Sequence, residues 1–398
     1  MSATLLYRIQ GVRVYRYKKT NYQKDCVRIH FSIPKDRCVC PECGNDFVWI
    51  KEWRTREFVG VPLGSKKVIL VVDIPKIYCP ECQANRQVHL PFARPNKHYT
   101  RAFEHYVLRL LQEMTVQAVA DFVGVSWDTV RDIEQHYLEK HFSNPSFKGV
   151  RYIAIDEISS KKGYNFLTVV MNLENGQVIY VGDGRQEDAL TDFWKKLKRS
   201  RTKIEAVASD MSRPYTKAIR ENIPNAVHVF DRFHIVKMFN EVINNVRRSL
   251  YHKIKDKDEK SLLKGLKYIL LKRPENLDPS KEEPERLQRT LEANSDLSTI
   301  YYLKEELHSL WDEEDAESAQ GKMMDMIAFM LSEQIPYLKR FAKSLRAHAF
   351  GILAWFDYEI STGPLEGLNN KIKNIKRMAY GFRNMKYFKL KILACHAQ

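Results

Sequence analysis

No apolar run among the 398 residues approaches the length needed to span a bilayer, which excludes a transmembrane helix. The start of the chain (Met1 to Arg8) lacks a signal-peptide layout, so the protein is expected in the cytoplasm. Internal repeats and low-complexity tracts are missing as well. Cysteine is scarce: seven residues, an odd number and mostly in close pairs, fit reduced thiols and metal binding better than a disulfide framework. Acid is short relative to base. The 49 Asp and Glu face 65 Lys and Arg, a net charge of +16, which points to an acidic partner, with nucleic acid first and an anionic membrane second. What remains is a globular composition, 44% hydrophobic, long enough for two to four domains.

The cysteines carry the first chemical signal. Cys40-Pro-Glu-Cys43-Gly44 and Cys79-Pro-Glu-Cys82 are matching Cys-x-x-Cys knuckles, and two such pairs close a tetrahedral four-thiolate zinc site with no open position for catalysis. A redox Cys-x-x-Cys would stand once, beside a βαβ unit that is absent here. Cys38 is near enough to compete as a ligand, whereas Cys26 and Cys395 read as core. The stretch between the knuckles alternates as a small β-ribbon. Its Lys51, Arg54, Arg56, Lys66 and Lys67 admit two readings, phosphate contact or simple solvation. Residues 1–100 thus form a zinc-binding N-terminal domain.

Residues 101–145 have helix-turn-helix spacing. Val107, Leu108, Leu110 and Leu111 read as one buried face. A short helix follows with Ala118, Val119 and Phe122 inward, then a turn at Gly124. Ser126 caps a second helix with Val130 and Ile133 inward. The first turn of that helix would offer Trp127, Asp128, Thr129 and Arg131 to a DNA major groove. A plain helical hairpin fits the same pattern. Asn144-Pro145 makes a linker.

Residues 150–235 read as an α/β core. Arg151 to Asp156 is a short apolar strand ending on two carboxylates, Asp156 and Glu157. Asn165–Met171 and Gln177–Val181 complete an antiparallel meander around a turn at Glu174 to Gly176. Gln186–Arg199 is an amphipathic helix with Leu190, Phe193, Trp194 and Leu197 on one face. Ile204 to Asp210 is a fourth strand that also stops on aspartate, a helix spans Tyr215 to Glu221, and Ala226 to Asp231 is a fifth strand. Taken alone, Asp156 is either a held acid or a turn residue. Two aspartates meeting at one sheet edge would repel, and a divalent cation is the usual remedy.

Residues 236–358 read as an all-helical insertion with a polar break near Arg273 to Ser280, and Leu303, Leu307, Leu310 and Trp311 as its core. Residues 359–398 return to the core. Ser361 or Thr362 caps a helix with Pro364 in its first turn, which puts Glu366 near the start. Helical spacing sets Asn370, Lys373 and Arg377 on the side of Glu366, with Leu365, Leu368, Ile372 and Ile375 inward. Glu366 is the only acid from Ser361 onward, a singularity that suggests a purpose but is also compatible with an ordinary solvated helix.

Taken together, these motifs resemble the DDE transposases of the ISL3 family (the IS204, IS1001, IS1096 and IS1165 type), which have an RNase H-like core. The resemblance rests on the two knuckles, Ala154-Ile-Asp156-Glu, Ala208-Ser-Asp210-Met-Ser, His228-Val-Phe-Asp231-Arg-Phe-His234, and Thr362-Gly-Pro-Leu-Glu366-Gly-Leu-Asn-Asn-Lys-Ile-Lys. It implies a multidomain α+β fold, with a zinc β-ribbon, a helix-turn-helix and an RNase H-like core interrupted by helices. It implies Asp156, Asp210 and Glu366 as the catalytic acids on two Mg²⁺ ions, with Mn²⁺ able to substitute, and a site-adjacent role for Asp231 and His234. One structural Zn²⁺ belongs on Cys40, Cys43, Cys79 and Cys82. Trp127, Thr129, Arg131, Lys371, Lys373, Lys376 and Arg377 are the expected DNA contacts, Lys373 and Arg377 on the scissile strand. The implied activity is cleavage at terminal inverted repeats and strand transfer into target double-stranded DNA by at least a dimer, in a prokaryotic cytoplasm at the nucleoid. A DNA-binding regulator with a non-catalytic core, or a nuclease or junction resolvase, would share parts of this pattern. Neither accounts for three acids together with two DNA-reading modules.

Overall fold

A computed structural model describes residues 3–13, 15–159, 166–255, 260 and 263–395. Asn165, read above as the start of a strand, and residues 396–398 lie outside the described residues. The chain divides into two compact units, 1–141 and 142–398.

In the first unit, α1 (Ala3–Gln10) precedes β1 (Arg16–Tyr22), β2 (Cys26–Ser32), β3 (Trp49–Leu63), β4 (Lys66–Cys79) and β5 (Ala84–Gln87). They form one sheet in the order β1-β2-β4-β3, with β5 pairing on β4. The expected ribbon is the antiparallel β3–β4 pair, but it is longer than the sequence pattern suggested and β2 runs parallel on its other side. With neighbours on both edges, the centre of β4 is buried, and Val68, Leu70 and Val72 pack with Ile29, Phe31 and Phe58. Three helices follow: α2 (Arg101–Leu110), α3 (Val116–Val123) and α4 (Trp127–Phe142). Thr100, Thr115 and Ser126 accept from the amides of Phe103, Ala118 and Thr129, which satisfies donors that have no partner inside the helix. Gly124 ends α3 at φ +67°, a left-handed conformation that suits glycine.

Two core expectations need correction. The buried face of α3 is Val119, Ala120 and Val123, while Phe122 is 64% exposed. Small and β-branched residues let α3 approach Val130 and Ile133 closely, so the bulkier ring turns outward. Cys26 is half-buried rather than core, because its thiol turns aside to donate to Gln23.

In the second unit, β6 (Tyr152–Ser159), β7 (Phe166–Asn172), β8 (Val178–Asp183), β9 (Ala206–Ser209) and β10 (Val227–Phe230) form a sheet in the order β10-β9-β6-β7-β8. The first three strands make the antiparallel meander, and β9 and β10 join β6 in parallel. This is the strand arrangement of an RNase H-like core. Alternation along β6 sorts its two faces. Ile153 and Ile155 pack with α5 (Thr191–Ser200) and α6 (Arg213–Asn222). Ala154 and Ile158 pack with Leu365, Leu368 and Ile372 of the helix Gly363–Met378 and with Phe388 of the helix Met385–Leu393. Between these parts, α7 (Arg232–Lys253) opens the insertion, which is helical among its described residues and shares a core that includes Phe239, Leu303, Leu307, Leu310 and Trp311. The polar break holds two short 3₁₀ turns, Pro274–Asn276 and Pro279–Lys281.

Candidate active site

β9 and β10 end immediately before an aspartate, while β6 does not stop at Asp156 as its sequence suggested: it runs on to Ser159 beside β7, and only its parallel pairing with β9 stops immediately before Asp156. Ile155 pairs with Ser209, and Ser209 pairs with Phe230. The next residues are Asp156, Asp210 and Asp231, so the three lie level at the carboxyl edge of the sheet, where open α/β sheets take their ligands. The Asp231 amide donates to the Ser209 carbonyl at 3.0 Å, which keeps the third strand end in line. Beneath them, Ser209 Oγ lies 2.7 Å from His228 Nε2, a buried pair joining β9 to β10. Burial lowers the His228 pKa to about 4, so the imidazole is neutral. Asp210 turns the chain into α6, its Oδ1 accepting from the Ser212 amide at 3.0 Å.

Asp156 follows Ala154 and precedes Ile158 on the face covered by the Gly363–Met378 helix. That helix is pressed on the sheet by Leu365, Leu368 and Ile372, all fully buried, each contributing about 2 kcal/mol at most. Thr362 is its N-cap residue and Glu366 stands exposed in its first turn. Asn369, one turn further on, donates to Asp156 Oδ2 at 2.9 Å. Helical spacing sets Asn370 on the side of Glu366 and does not single out Asn369, the residue that reaches Asp156. Burial raises the Asp156 carboxyl, and the Asp210 charge pushes the same way, while His234 and Asn369 oppose them. Asp231 is also raised, mainly by burial and further by Glu366, against the Phe233 amide, His234 and Thr362. Its Oδ1 accepts from Phe233 N at 2.9 Å and its Oδ2 from the Thr362 hydroxyl. Asp231 thus ties the start of α7 to the start of the Glu366 helix. Thr362 spends its hydroxyl on that tie instead of on capping its own helix.

Asp156, Asp210, Asp231 and Glu366 therefore share one neighbourhood, linked through Asn369, His234 and Thr362. They are not drawn tight. Among the described residues, only Cys40, Cys43, Cys79 and Cys82 form a set of His, Cys, Asp or Glu with all ligand atoms within 4.8 Å of one another. No Lys or Arg forms an ion pair with any of the four acids among the described residues, in a chain of net charge +16. Carboxylates left to one another in so basic a protein are a donor set suited to a hard cation such as Mg²⁺. Glu157, on the opposite face, is held by Tyr215, and burial raises its carboxyl.

The expected DNA contacts divide into free and engaged groups. Lys371 donates to the Cys395 carbonyl and Lys376 to that of Ser159, so both help hold the fold. Lys373 bonds its neighbour Asn370, and Arg377 is exposed. Trp127 is 42% exposed at the start of α4. Thr129 bonds Ser126, and Arg131 pairs with Asp128 and Asp132 while lying over the Trp127 ring.

The four knuckle thiols fit zinc. Cys40 and Cys82 Sγ are 3.8 Å apart, Cys43 and Cys79 Sγ 3.6 Å, and a tetrahedron with Zn–S of about 2.3 Å has edges of about 3.8 Å. Backbone amides of Cys43 and Glu42 lower the Cys40 thiol to about 7, toward the thiolate a metal needs. Cys38 stays outside: its thiol donates to the Pro34 carbonyl, and burial raises it.

The comparisons with known proteins agree with this layout. Residues 153–392 match the ISL3-type DDE family model described as transposase. Residues 88–138 match the helix-turn-helix domain of transposase family ISL3, and residues 36–82 the zinc-finger of transposase IS204/IS1001/IS1096/IS1165. The transposase for insertion sequence element IS1001 of Bordetella parapertussis is 32% identical over 89% of this chain and 88% of its own length. The transposase for IS1557 of Mycobacterium tuberculosis is 26% identical over 87% of this chain and 82% of its own. Among solved structures, the Drosophila P element transposase strand transfer complex overlaps 74% of this chain and 91% of its own, at 12% identity and a TM-score of 0.40, too loose a likeness to add detail.

Proposed function

The chain belongs to the ISL3 family of transposases, and from that premise we propose that it cuts and joins DNA at insertion-sequence ends with Asp156, Asp210 and Glu366. The observation that carries this reading is the level alignment of Asp156 and Asp210 on paired parallel strands, under a helix that brings Glu366 to the same face and bonds Asp156 through Asn369. When bound there, two Mg²⁺ ions supply the charge that activates the attacking oxygen and stabilises the leaving one. Asp156, Asp210 and Glu366 would hold them. The protein's own part is to keep these carboxylates in place. Asn369 orients Asp156, the Ser212 amide orients Asp210, and the Asp231–Thr362 tie sets the start of the Glu366 helix. One set of acids serves both cleavage and strand transfer, with no covalent enzyme intermediate.

In the same reading, the helix-turn-helix and the zinc module read the terminal inverted repeats, since phosphate contacts alone carry no base information. A single Zn²⁺ on the four knuckle cysteines is structural. Two ends must be cut together, which calls for at least a dimer on DNA. Among the described residues no helix is long and apolar enough to cross a membrane. A cytoplasmic, nucleoid-associated protein follows from its substrate.

The deciding experiment compares the wild type with Asp210→Ala on DNA carrying candidate ends, with Mg²⁺ present. Binding should survive and cleavage should disappear. A wild type that binds but cleaves under no divalent metal would favour the regulator reading instead.

The Asp231–Thr362 tie makes a separate prediction. Thr362→Val removes a donor from a buried carboxylate, which costs about 1–3 kcal/mol where it is left unsatisfied. Cleavage should fall and its Mg²⁺ requirement should rise with DNA binding unchanged, while Thr362→Ser restores both. Equal activity in the Val and Ser variants would show that the tie does not set Glu366.

A further inference from the structure

The opposite edge of the catalytic sheet holds a cleft of about 430 Å³, formed where the chain enters β6 and β9. It is lined by Ser146, Lys148, Arg151, Arg201, Thr202 and Lys203, among others, and by no Asp or Glu. The cleft is built rather than incidental. Thr202 Oγ1 donates to the Phe147 carbonyl at 3.0 Å, and the Glu205 amide donates to the Arg151 carbonyl at 2.9 Å, so the two basic loops are tied side by side. Gly149, at φ +80°, and Arg201, in the left-handed region at φ +56°, turn those loops around the opening.

The charge is one-sided. From Lys195 to Lys203 the chain carries six Lys or Arg and no acid. Cations in the last turn of α5 have an ordinary reason to be there, since they oppose the partial negative charge of a helix C-terminus. That reason covers Arg201, the C-cap residue of α5, but does not extend to Lys148 and Lys203, which lie beyond the helix. Arg151 is paired with Glu174 and serves as wall. Lys148, Arg201 and Lys203 are exposed and form no ion pair among the described residues.

We infer that this cleft is a second DNA-backbone site, holding phosphates of duplex DNA away from the reacting one. Cations and hydroxyls with no carboxylate between them match a phosphodiester, and a chain of net charge +16 that handles DNA supplies the partner. The position separates this role from catalysis. Arg151 precedes Asp156 by five residues of extended chain, roughly 16 Å at about 3.3 Å per residue, and the acids sit just past the far end of the parallel pairing between the same strands. Phosphates in one strand repeat about every 3.4 Å, so the cleft grips the duplex several nucleotides from the scissile bond, or grips a second duplex. The inference rests on the transposase reading for its partner but not on the acids.

The test replaces Lys148, Arg201 and Lys203 together with Ala and measures binding to random-sequence duplex DNA over a range of salt. Three lost phosphate contacts should reduce the slope of log K against log salt by about 2 to 3. Cleavage measured at saturating protein should be unchanged, and so should the melting temperature. A control triple, Arg340, Lys343 and Arg346 to Ala, removes three other exposed cations. An unchanged slope in the cleft variant, or an equal loss in the control, would overturn the inference. So would tight binding of inorganic phosphate to the wild-type cleft at constant ionic strength with DNA binding unaffected by the substitutions, since the ligand would then be a free anion. A protein that cleaves nothing but shows the slope change would sink the catalytic reading and leave the cleft standing.

Discussion

Stripping zinc from the protein melts the knuckle end of the β3–β4 ribbon and leaves the 142–398 unit folded. Four sulfurs within 4.8 Å of one another, two pairs of them at 3.6 and 3.8 Å, cannot all be thiolates without a cation between them, so the apo site must take up protons or spread apart. In isolated zinc-finger peptides the metal contributes about 10–16 kcal/mol and the fold vanishes without it. Here the effect should be smaller and local, because the base of the ribbon has its own core in Ile29, Phe31, Phe58, Leu70 and Val72. The reporter is built in. Trp49 stacks on Tyr78 at 5.5 Å, next to Cys79, and Phe47 packs edge-on against Trp49. Chelation, or Cys43→Ser without chelator, should change tryptophan emission, release one equivalent of zinc and lower the melting transition of residues 1–141 alone. Sequence-specific DNA binding should fall with it. An emission spectrum and a thermal profile both indifferent to metal removal would end the case for structural zinc.

The zinc cluster was legible from spacing because knuckle chemistry is local: four residues fix each pair of sulfurs. The sheet that carries the aspartates was legible for a related reason. Strands buried on both faces read as short apolar runs, and both Asp156 and Asp210 interrupt such runs at their ends. What spacing cannot supply is what lies across space. Asn369 on Asp156 is a contact 213 residues apart in sequence, and Thr362 on Asp231 is 131 apart. The hint for Asn369 was present, since it stands about one turn beyond Glu366, but Asn370 fits helical spacing slightly better. β1 escaped notice because Arg-Tyr-Lys-Lys-Thr-Asn-Tyr is a polar edge strand with no alternation, held by its pairing with β2. Phe122 misled because hydrophobicity says that a side chain prefers burial, not whether two helices leave room for it. The lysines carry contacts that spacing does not show. Lys371 and Lys376 look free in a basic stretch, yet carbonyls from distant segments claim them.

Asp156→Asn abolishes cleavage and strand transfer together while leaving the protein as stable as the wild type, or more so, without divalent metal. A carboxamide keeps the acceptor for Asn369 but gives up the negative charge. Losing a ligand that stabilises the reaction by several kcal/mol slows it about a thousandfold or more. The stability claim follows from the raised Asp156 carboxyl. Its folded pKa lies above the ordinary value of 3.8, mainly because burial disfavours the charge. Below 3.8 the carboxyl is protonated in both states and burial carries no charge penalty. As pH rises through the interval from 3.8 to the folded value, the unfolded chain ionises first and stability drains away, and above the folded value the loss is complete. The amide cannot ionise, so the gain in melting temperature should appear at neutral pH and vanish in acid. Mg²⁺ reverses the order. A cation that binds only the folded state stabilises it by mass action, so the wild type should gain melting temperature with Mg²⁺ and Asp156→Asn should gain little. Retained Mg²⁺ stabilisation in the variant would place the cation elsewhere. An inactive variant that melted lower at every pH would mean that Asp156 holds the sheet edge together rather than working on DNA.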